Sequence, residues 1–318
     1  MARRKRGNPV HGWLVLDKPY DLGSTEAVSK SKWLFEAQKA GHAGTLDPLA
    51  TGILPIAFGE ATKTVTYVQD GLKTYRFTAR WGVATATDDA EGEVVAESDV
   101  RPTREDIEGV LGDFTGIVTQ RPPAFSAIKI DGQRAYDLAR EGEKVEVPER
   151  EVRIEDLRLV EMLSDDEAVL EAVTGKGTYV RALVRDLAQA LGTVAHVSAL
   201  RRTAVGPFTE EMAVRFEDMT GRPDTERLGP EDREGDYTSF LTGIDAAMAE
   251  FPSVSIDRPA ASRLQHGNDA ILSIAEVAPL RQGNPEDIEP VLAVEGETPV
   301  AVCRLEGMKL RPVKVFNF

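Results

Sequence analysis

The sequence has very little cysteine and histidine, and it has no long apolar run. Cys303 is the one cysteine in 318 residues, which excludes intramolecular disulfides and thiolate zinc clusters. The four histidines are scattered without ligand spacing, so we predict no metal. No apolar run approaches the ~18 residues of a membrane-spanning helix, and the start, MARRKRGNPV, lacks the apolar stretch of a secretory signal. We therefore expect a cytoplasmic protein without membrane contact.

The chain also lacks an overall positive charge, since its formal net charge is −15. A uniform negative charge would argue against nucleic acid as a partner. The charge is not uniform, however: residues 1–82 contain 12 Lys/Arg against 7 Asp/Glu, whereas residues 83–120 contain 2 against 10. A polyanion could therefore meet a locally basic surface, while the acidic remainder favours solubility.

Residue patterns predict a chain that mixes strands and helices. Alternating apolar residues predict strands in GWLVLDKP, TKTVTYVQ, KTYRFTARWGV, DLRLVEML and EAVLEAVTG. Cap and stop residues predict helices in STEAVSKSKWLFEAQKAG, ending at Gly41, and in RPTREDIEGVLGDFTG. The segment KGTYVRALVRDLAQALG is expected to begin as a strand and continue as a helix. Five short β-like runs in 251–318 predict a small β domain.

One short loop, GHAGTLDPLATG, places a single aspartate among glycines and apolar residues. Asp47 precedes Pro48, whose ring favours extended backbone at Asp47. An aspartate in such a turn most often accepts hydrogen bonds from neighbouring amides. Metal ligation is disfavoured because no acidic residue or histidine stands at ligand spacing, and a nucleophile or base in a water-poor pocket is the third reading. The loop alone leaves the choice open.

Longer motifs add a family resemblance. They are DKPYDLGST, GHAGTLDPLATGILPIAFGEATK, KTYRFTARWGVATATDDAEG, QRPPAFSAIKIDGQRAYDLAREG, GKGTYVRALVRDLAQALG and HVSALRRTAVGPF. In this order they resemble the bacterial tRNA pseudouridine synthases of the TruB family. The resemblance covers residues 11 to about 208 strongly and weakens from about 240 to a family-like ending, RLEGMKLRPVKVFNF.

The resemblance implies an α+β pseudouridine-synthase fold. Its central sheet would be mixed but mainly antiparallel and flanked by helices, with an inserted thumb loop at about 121–153. We expect a catalytic domain over 1–240, which ends in an acidic linker at about 217–240. A small β-rich domain of the PUA type would follow over 241–318.

The resemblance also implies a reaction. Family members isomerise one uridine in the T arm of tRNA, conventionally position 55, by breaking the glycosidic bond and reattaching the base through carbon. A carboxylate in a closed pocket can stabilise or trap the positive sugar that this cleavage produces. We expect no cofactor, because isomerisation involves no net oxidation.

Individual residues match the family's functional positions. Asp47 matches the catalytic carboxylate of the family. Arg181 matches an arginine that is expected to pair with this carboxylate at two points. Tyr75 matches a tyrosine that stacks on the target base. Six further positions match residues that bind RNA or wall the pocket: His42, Lys18, Lys63, Lys176, Tyr179 and Leu200. The resemblance implies that His42 stacks in the place of displaced T-loop bases, that the three lysines contact phosphates and that Leu200 forms part of the pocket wall. Tyr179 is expected to share a strand face with Arg181, because alternation places i and i+2 together.

Two other functions remain as alternatives. One is the archaeal and eukaryotic type of pseudouridine synthase, which works inside a guide-RNA particle. The other is a non-catalytic protein that binds or folds RNA on the same scaffold. We favour the enzyme that acts on the tRNA T stem-loop and needs no obligate protein partner, because Asp47, Tyr75 and Arg181 occur together and no long basic extension is present.

Overall fold

The computed structural model describes residues 7–126, 129–130, 133–134, 147–224, 226–281 and 286–318. Its helices are α1 (Ser24–Leu34), α2 (Val65–Asp70), α3 (Arg104–Val110), α4 (Val180–Ala190), α5 (Phe216–Thr220), α6 (Arg258–Gln265) and α7 (Ile274–Arg281). Strands before the large insertion are β1 (Gly12–Lys18), β2 (Ala40–His42), β3 (Thr51–Phe58), β4 (Lys73–Trp81), β5 (Val83–Thr85), β6 (Val94–Glu97) and β7 (Gly116–Gln120).

Later strands complete the main sheet and form a second, C-terminal sheet and one short pair. They are β8 (Lys129–Ile130), β9 (Gln133–Arg134), β10 (Arg150–Met162), β11 (Glu167–Thr174), β12 (Ala195–Val205), β13 (Phe208–Thr209), β14 (Ser253–Ser255), β15 (Ala270–Ile271), β16 (Ile288–Glu295), β17 (Thr298–Glu306) and β18 (Lys309–Val315). The main sheet has the order β1-β3-β12-β4-β11-β10-β7, with β2 beside β3 and β13 beside β12. Strands β3 and β12 pair in parallel, and the other described pairs of this sheet are antiparallel. The predicted mixed, mainly antiparallel sheet is confirmed.

Two apolar clusters cover the main sheet. One joins β4 to α3 and α4 through Phe77, Ile107 and Leu187. The other packs α1 on β1 and β3. Tyr75 and Leu200 contact both clusters, so the β4–β12 pair lies at the junction of the two cores and can hold a site between them.

Two local predictions near the start of the chain were wrong. The segment TKTVTYVQ forms a 3-10 turn and then α2, not a strand. Hydroxyls explain the difference, since Thr62 and Thr64 donate to carbonyls three residues back and so favour turns. Helix α1 ends at Leu34 rather than near Gly41, because Glu36 adopts a left-handed φ of 47° that stops the helix.

The predicted acidic linker is packed rather than extended. Phe216, Met219 and Tyr237 are buried in the cluster around α1. The Arg222 guanidinium lies 2.9 Å from an oxygen of the buried Asp232, which ties the acidic stretch to itself. Composition predicted a linker because the few apolar residues that anchor the segment are widely spaced.

The predicted thumb insertion connects two neighbouring strands at the edge of the sheet. Gln120 of β7 pairs with Arg150 of β10, so the connection runs from 121 to 149. The predicted end at 153 was therefore too late, because Arg150–Arg153 already pair with β7. Strands β8 and β9 form an antiparallel pair within it, and most of its remaining residues lie outside the described ranges.

The predicted C-terminal β runs form a five-stranded sheet in the order β14-β16-β17-β18-β15, accompanied by α6 and α7. Its own core includes Leu264, Leu305 and Leu310. Phe316 and Val302 instead join a cluster that also holds residues of β1 and β13. The C-terminal sheet therefore packs directly on the outer strands of the main sheet.

Candidate active site

The loop that carries Asp47 connects β2 to β3, and its course depends on close backbone approach. Gly52 has φ of 97°, and a Cβ there would lie 2.2 Å from the carbonyl oxygen of Arg202. No other residue fits this parallel contact between β3 and β12. The amide of Ala50 donates to the Asp47 carbonyl at 3.1 Å, which closes a tight turn around Pro48.

Buried polar side chains hold the loop in place. The Ser24 hydroxyl donates to the Leu46 carbonyl at 2.7 Å and accepts from the Leu46 amide at 2.8 Å. Arg202, 1% exposed, donates to the carbonyls of Ile53, Thr45 and Gly44 at 2.8, 3.2 and 3.2 Å. A fixed guanidinium with several donors suits this role better than an ammonium would.

Lys18 has a different place from the one expected. We predicted a phosphate contact, but its side chain is fully buried, and Nζ donates to the carbonyls of Pro19, Leu22 and Pro48 at 2.9, 2.7 and 3.0 Å. Burial lowers the pKa of Lys18 to about 8, against the opposing effect of Asp47. Lys18 braces the loop from inside, so the predicted RNA contact was wrong.

Asp47 and Arg181 meet, with an Oδ2–Nη2 distance of 2.9 Å. The expected two-point pairing is not present, because the other terminal nitrogen of the guanidinium, Nη1, faces Asp89 at 3.3 Å and donates to the Thr87 carbonyl at 3.0 Å. Nη2 also donates to the Phe125 carbonyl at 3.0 Å. The arginine is thus held by a second carboxylate and two carbonyls, and it contacts Asp47 through one nitrogen, Nη2.

The carboxylate is more open than the sequence predicted. The side chain of Asp47 is 39% exposed, whereas that of Arg181 is 7% exposed. Leu46, Ala50 and Ile53 are buried in the core. Because the apolar residues of the loop turn inward, Asp47 remains at the solvent side, and the expected closed, apolar surroundings were wrong for this structure.

Tyr179 is not on a strand. It is the N-cap residue of α4, so its relation to Arg181 is helical rather than alternating. The Gln120 side chain accepts from the Tyr179 amide at 2.8 Å and donates to its carbonyl at 3.1 Å. Arg150 lies over the Tyr179 ring, 5.2 Å from its centroid. The two bonds from Gln120 occupy the backbone groups that a strand pairing would have needed.

A cavity of about 300 Å³ joins these groups, a volume at the lower limit of typical small-molecule sites. Tyr75, Leu200 and Val180 supply apolar side chains to its wall. Among the described residues that line it, Asp47 is the single carboxylate. The cations that line it are Lys73, Arg150, Lys176, Arg181 and Arg202. This cavity is strongly basic although the chain as a whole is acidic.

The predicted residues divide into two groups. Asp47, Arg181, Tyr75, Tyr179, Lys176 and Leu200 line the cavity. Lys63 does not; its Nζ contacts Glu60 at 2.5 Å and donates to the Val315 carbonyl at 2.6 Å, so it ties β18 to the catalytic unit. The ammonium of Lys63 already has a carboxylate partner, and its expected phosphate contact stays a prediction.

His42 lies in β2 outside the cavity lining and is partly buried. Burial and the neighbouring Arg202 guanidinium lower the pKa of His42, so its ring is neutral near pH 7. Its Nδ1 is buried without a hydrogen-bond partner. A neutral ring suits the predicted stacking on RNA, and that role stays a prediction.

Three groups of the site were missed from the sequence: Arg202, Asp89 and Lys73. For Lys73 a signal was present, because it stands two residues before Tyr75 on one strand and so shares its face. Arg202 and Asp89 carried no comparable signal, since their partners lie far away in sequence. Within the described ranges, no three potential metal ligands cluster, and no helix is long and apolar enough to cross a membrane.

Known proteins similar to this chain agree on one family. A family model described as TruB family pseudouridylate synthase (N terminal domain) matches residues 32–180. A second, described as tRNA pseudouridylate synthase B C-terminal domain, matches residues 181–233. A protein of Agrobacterium fabrum named tRNA pseudouridine synthase B is 54% identical to this chain, and the match covers 99% of this chain and 97% of that protein. A protein of the same name from Caulobacter vibrioides is 51% identical, and the match covers 100% of this chain and 99% of that protein.

Among solved structures, the fold is similar to that of a chain in an H/ACA RNP bound to a substrate RNA containing 2'-deoxyuridine. That match has a TM-score of 0.70 at 21% identity and covers 100% of this chain and 92% of the other. At this identity the match speaks for the fold alone. Taken with the two matched models and the full-length relatives, it leads to one assignment: the chain belongs to the TruB family of pseudouridylate synthases.

Proposed function

We propose that this chain converts a uridine of tRNA to pseudouridine, at position 55 in the T arm, with Asp47 as the group that acts on the glycosidic bond. Relatives that cover the full chain are named for pseudouridine formation in tRNA. The observation that carries the proposal for this chain is the exposed Asp47 carboxylate, which the buried Arg181 holds at the edge of a cavity of about 300 Å³.

The reaction balances without any added group. The bond from the ribose C1' to N1 breaks, a bond from C1' to C5 forms, the C5 hydrogen leaves as a proton and N1 gains one. Cleavage creates positive character at C1', which an ionised carboxylate stabilises or captures. The Arg181 guanidinium favours the ionised form of Asp47 and fixes its direction before the substrate arrives.

The apolar wall suits the base. Tyr75 and Leu200 are on neighbouring strands, with Leu200 opposite Phe77 in the β4–β12 register. A flipped pyrimidine that stacks on Tyr75 recovers part of the stacking that it loses in RNA. Because Asp47 is 39% exposed in the free protein, the bound nucleotide itself excludes water from the carboxylate in this proposal.

The cations of the cavity suit the RNA backbone. Five basic side chains line the cavity with one carboxylate, although the formal net charge of the chain is −15. A local positive field in an acidic protein favours a polyanion at one place and disfavours it elsewhere. We propose that the chain acts alone on the T stem-loop, without a guide RNA.

The decisive experiment follows tritium released from 5-tritiated uridine in an unmodified tRNA transcript. Asp47→Asn should reduce release by more than about 10⁴-fold, while tRNA affinity changes by less than about threefold, because the amide keeps the shape of the side chain. Asp113→Asn, at an exposed aspartate outside this cavity, serves as the matched control and should keep full activity.

The same assay separates the alternatives. A transcript with cytidine at position 55 should release no tritium if the T arm is the target. Activity that requires an added guide RNA would favour the particle-bound type of enzyme. Tight tRNA binding without any release by the unaltered protein would favour a non-catalytic RNA-binding role, and turnover by Asp47→Asn would refute the role of Asp47.

A further inference from the structure

Lys73 is a buried lysine at the cavity to which the proposed reaction assigns no individual role. It is the first residue of β4, and its backbone pairs with Thr174 on one side and Val205 on the other. Its side chain shares a strand face with Tyr75 two residues later, and both side chains line the cavity. Two flanking strands therefore fix Lys73 relative to the proposed base-stacking residue.

The ammonium group of Lys73 has only part of its bonding capacity filled. Nζ donates to the carbonyls of Gln69 and Gly71, and an ammonium has three donors. In the described ranges no carboxylate lies within ion-pair distance of it, because the nearby Asp70 pairs with Lys176 at 2.6 Å. A buried charge that contacts only neutral oxygens is costly and is stabilised by an anion.

We propose that Lys73 binds a backbone phosphate of the target nucleotide. This inference rests on the proposed function, since it names a contact of the same cavity. With the base on Tyr75 and the sugar beside Asp47, the phosphate meets the basic side of the cavity. Lys73 is a binding residue in this assignment and takes no part in bond cleavage.

The charges around Lys73 predict that it takes up a proton as the RNA binds. Burial, Arg202 of β12 and Lys176 of the loop after β11 lower the pKa of Lys73 to about 8, while Asp70 at the end of α2 raises it. At pH 8 the free protein therefore carries Lys73 about half protonated. A phosphate raises this pKa, so binding takes up about half a proton at pH 8, more at pH 9 and little at pH 7.

A role as a simple helix cap is the competing explanation. The carbonyls of Gln69 and Gly71 lie at the C-terminal end of α2, where a cation is favourable. A cap would change the stability of the protein without any coupling between protons and RNA. The two roles therefore separate on a measurement of proton uptake.

The test is calorimetry with an unmodified T stem-loop RNA in two buffers of different ionisation enthalpy, at pH 7, 8 and 9. All proteins carry Asp47→Asn to prevent turnover, and Asp47 is not among the charges that shift the pKa of Lys73. The background protein should take up about half a proton at pH 8. Lys73→Met should lose this uptake and bind about 10–100-fold more weakly at pH 7, as expected for one charged hydrogen bond.

Two further variants keep the result interpretable. Lys73→Arg has a permanent charge, so it should lose the proton uptake while its affinity for the RNA stays within about threefold. If Lys73→Met does not fold, this variant distinguishes phosphate binding from a helix cap. Lys309→Met, which removes an exposed lysine of β18, should change neither quantity. Lys18, whose pKa is also about 8, is present in every variant, so any proton that it takes up cancels when the variants are compared.

Unchanged proton uptake in Lys73→Met, or in Lys73→Arg, would overturn the assignment and leave Lys73 as a cap. Failure of the proposed function would look different. The unaltered protein would then release no tritium from tRNA, whatever the outcome of the calorimetry.

Discussion

Two buried arginines at the cavity and two half-exposed arginines of the C-terminal sheet are used in different ways. Arg181 and Arg202 are buried, and both donate to main-chain carbonyls of loops at the cavity. Arg304 and Arg311 of the C-terminal sheet have half-exposed side chains and pair with carboxylates of their own unit. Arg181 and Arg202 thus organise backbone at the cavity, whereas Arg304 and Arg311 pair with carboxylates at the surface.

This contrast shows where positive charge is available to a ligand. The Arg202 guanidinium, which is bonded to neutral carbonyls, keeps its field and helps to keep the cavity basic, whereas Asp47 and Asp89 partly cancel the charge of Arg181. A guanidinium paired with Glu or Asp at the surface is largely cancelled and screened. RNA is therefore expected to bind at the cavity, and the C-terminal sheet contributes little electrostatic attraction of its own.

The largest difference should appear in stability. Arg202→Met leaves three carbonyls without a donor and should lower the free energy of unfolding by about 3–5 kcal/mol. Arg304→Met, at an exposed pair, should lower it by less than about 1 kcal/mol. Urea unfolding of both variants checks the comparison, and equal losses would show that burial does not separate the two arginines.

A change at Arg181 tests the catalytic side of the comparison. Arg181→Lys keeps the charge but cannot bridge Asp47, Asp89 and two carbonyls at once. Tritium release should slow by roughly 10²–10³-fold, the usual cost of removing a preorganised electrostatic partner. A loss below about threefold, in a protein that melts at the normal temperature, would contradict the proposed role of the ion pair.

The smallest effect is expected at the C-terminal sheet. Arg304→Gln combined with Arg311→Gln should change tRNA affinity by less than about twofold, because both charges are already paired on the surface. Filter binding at low and moderate salt measures this. A tenfold loss, with a smaller salt dependence, would mean that these arginines leave their partners to bind phosphates.

Local patterns predicted much of the fold. Apolar and alternating patterns found β1, β4, β10, β11 and the strands of the C-terminal sheet. A half-buried strand such as β11 records its two faces in sequence, whereas β1 is buried along nearly its whole length. These patterns failed for TKTVTYVQ, where hydroxyl-to-backbone bonds stabilise a turn, and for KGTYVR, where Gln120 bonds the backbone of Tyr179. Both failures come from side chains that bond the backbone, which periodicity does not register.

The candidate site was likewise predicted only in part. The motifs identified Asp47, Tyr75 and Arg181, and the structure brings all three to one cavity. The motifs did not show that Arg181 is shared with Asp89, or that Asp47 stays open to solvent. Their catalytic roles remain predictions for the experiments above.

The sequence by itself determined the family and most of the strands, and it singled out Asp47 as the carboxylate proposed to react, because these depend on residue type and on spacing along the chain. Only the tertiary structure decided which cations can meet a ligand. Lys18 and Lys73 are both lysines at a strand terminus with lowered pKa, yet Lys18 is enclosed by three carbonyls from two loops and Lys73 lines the cavity. The difference arises because strands and loops that are distant in sequence pack around each ammonium group.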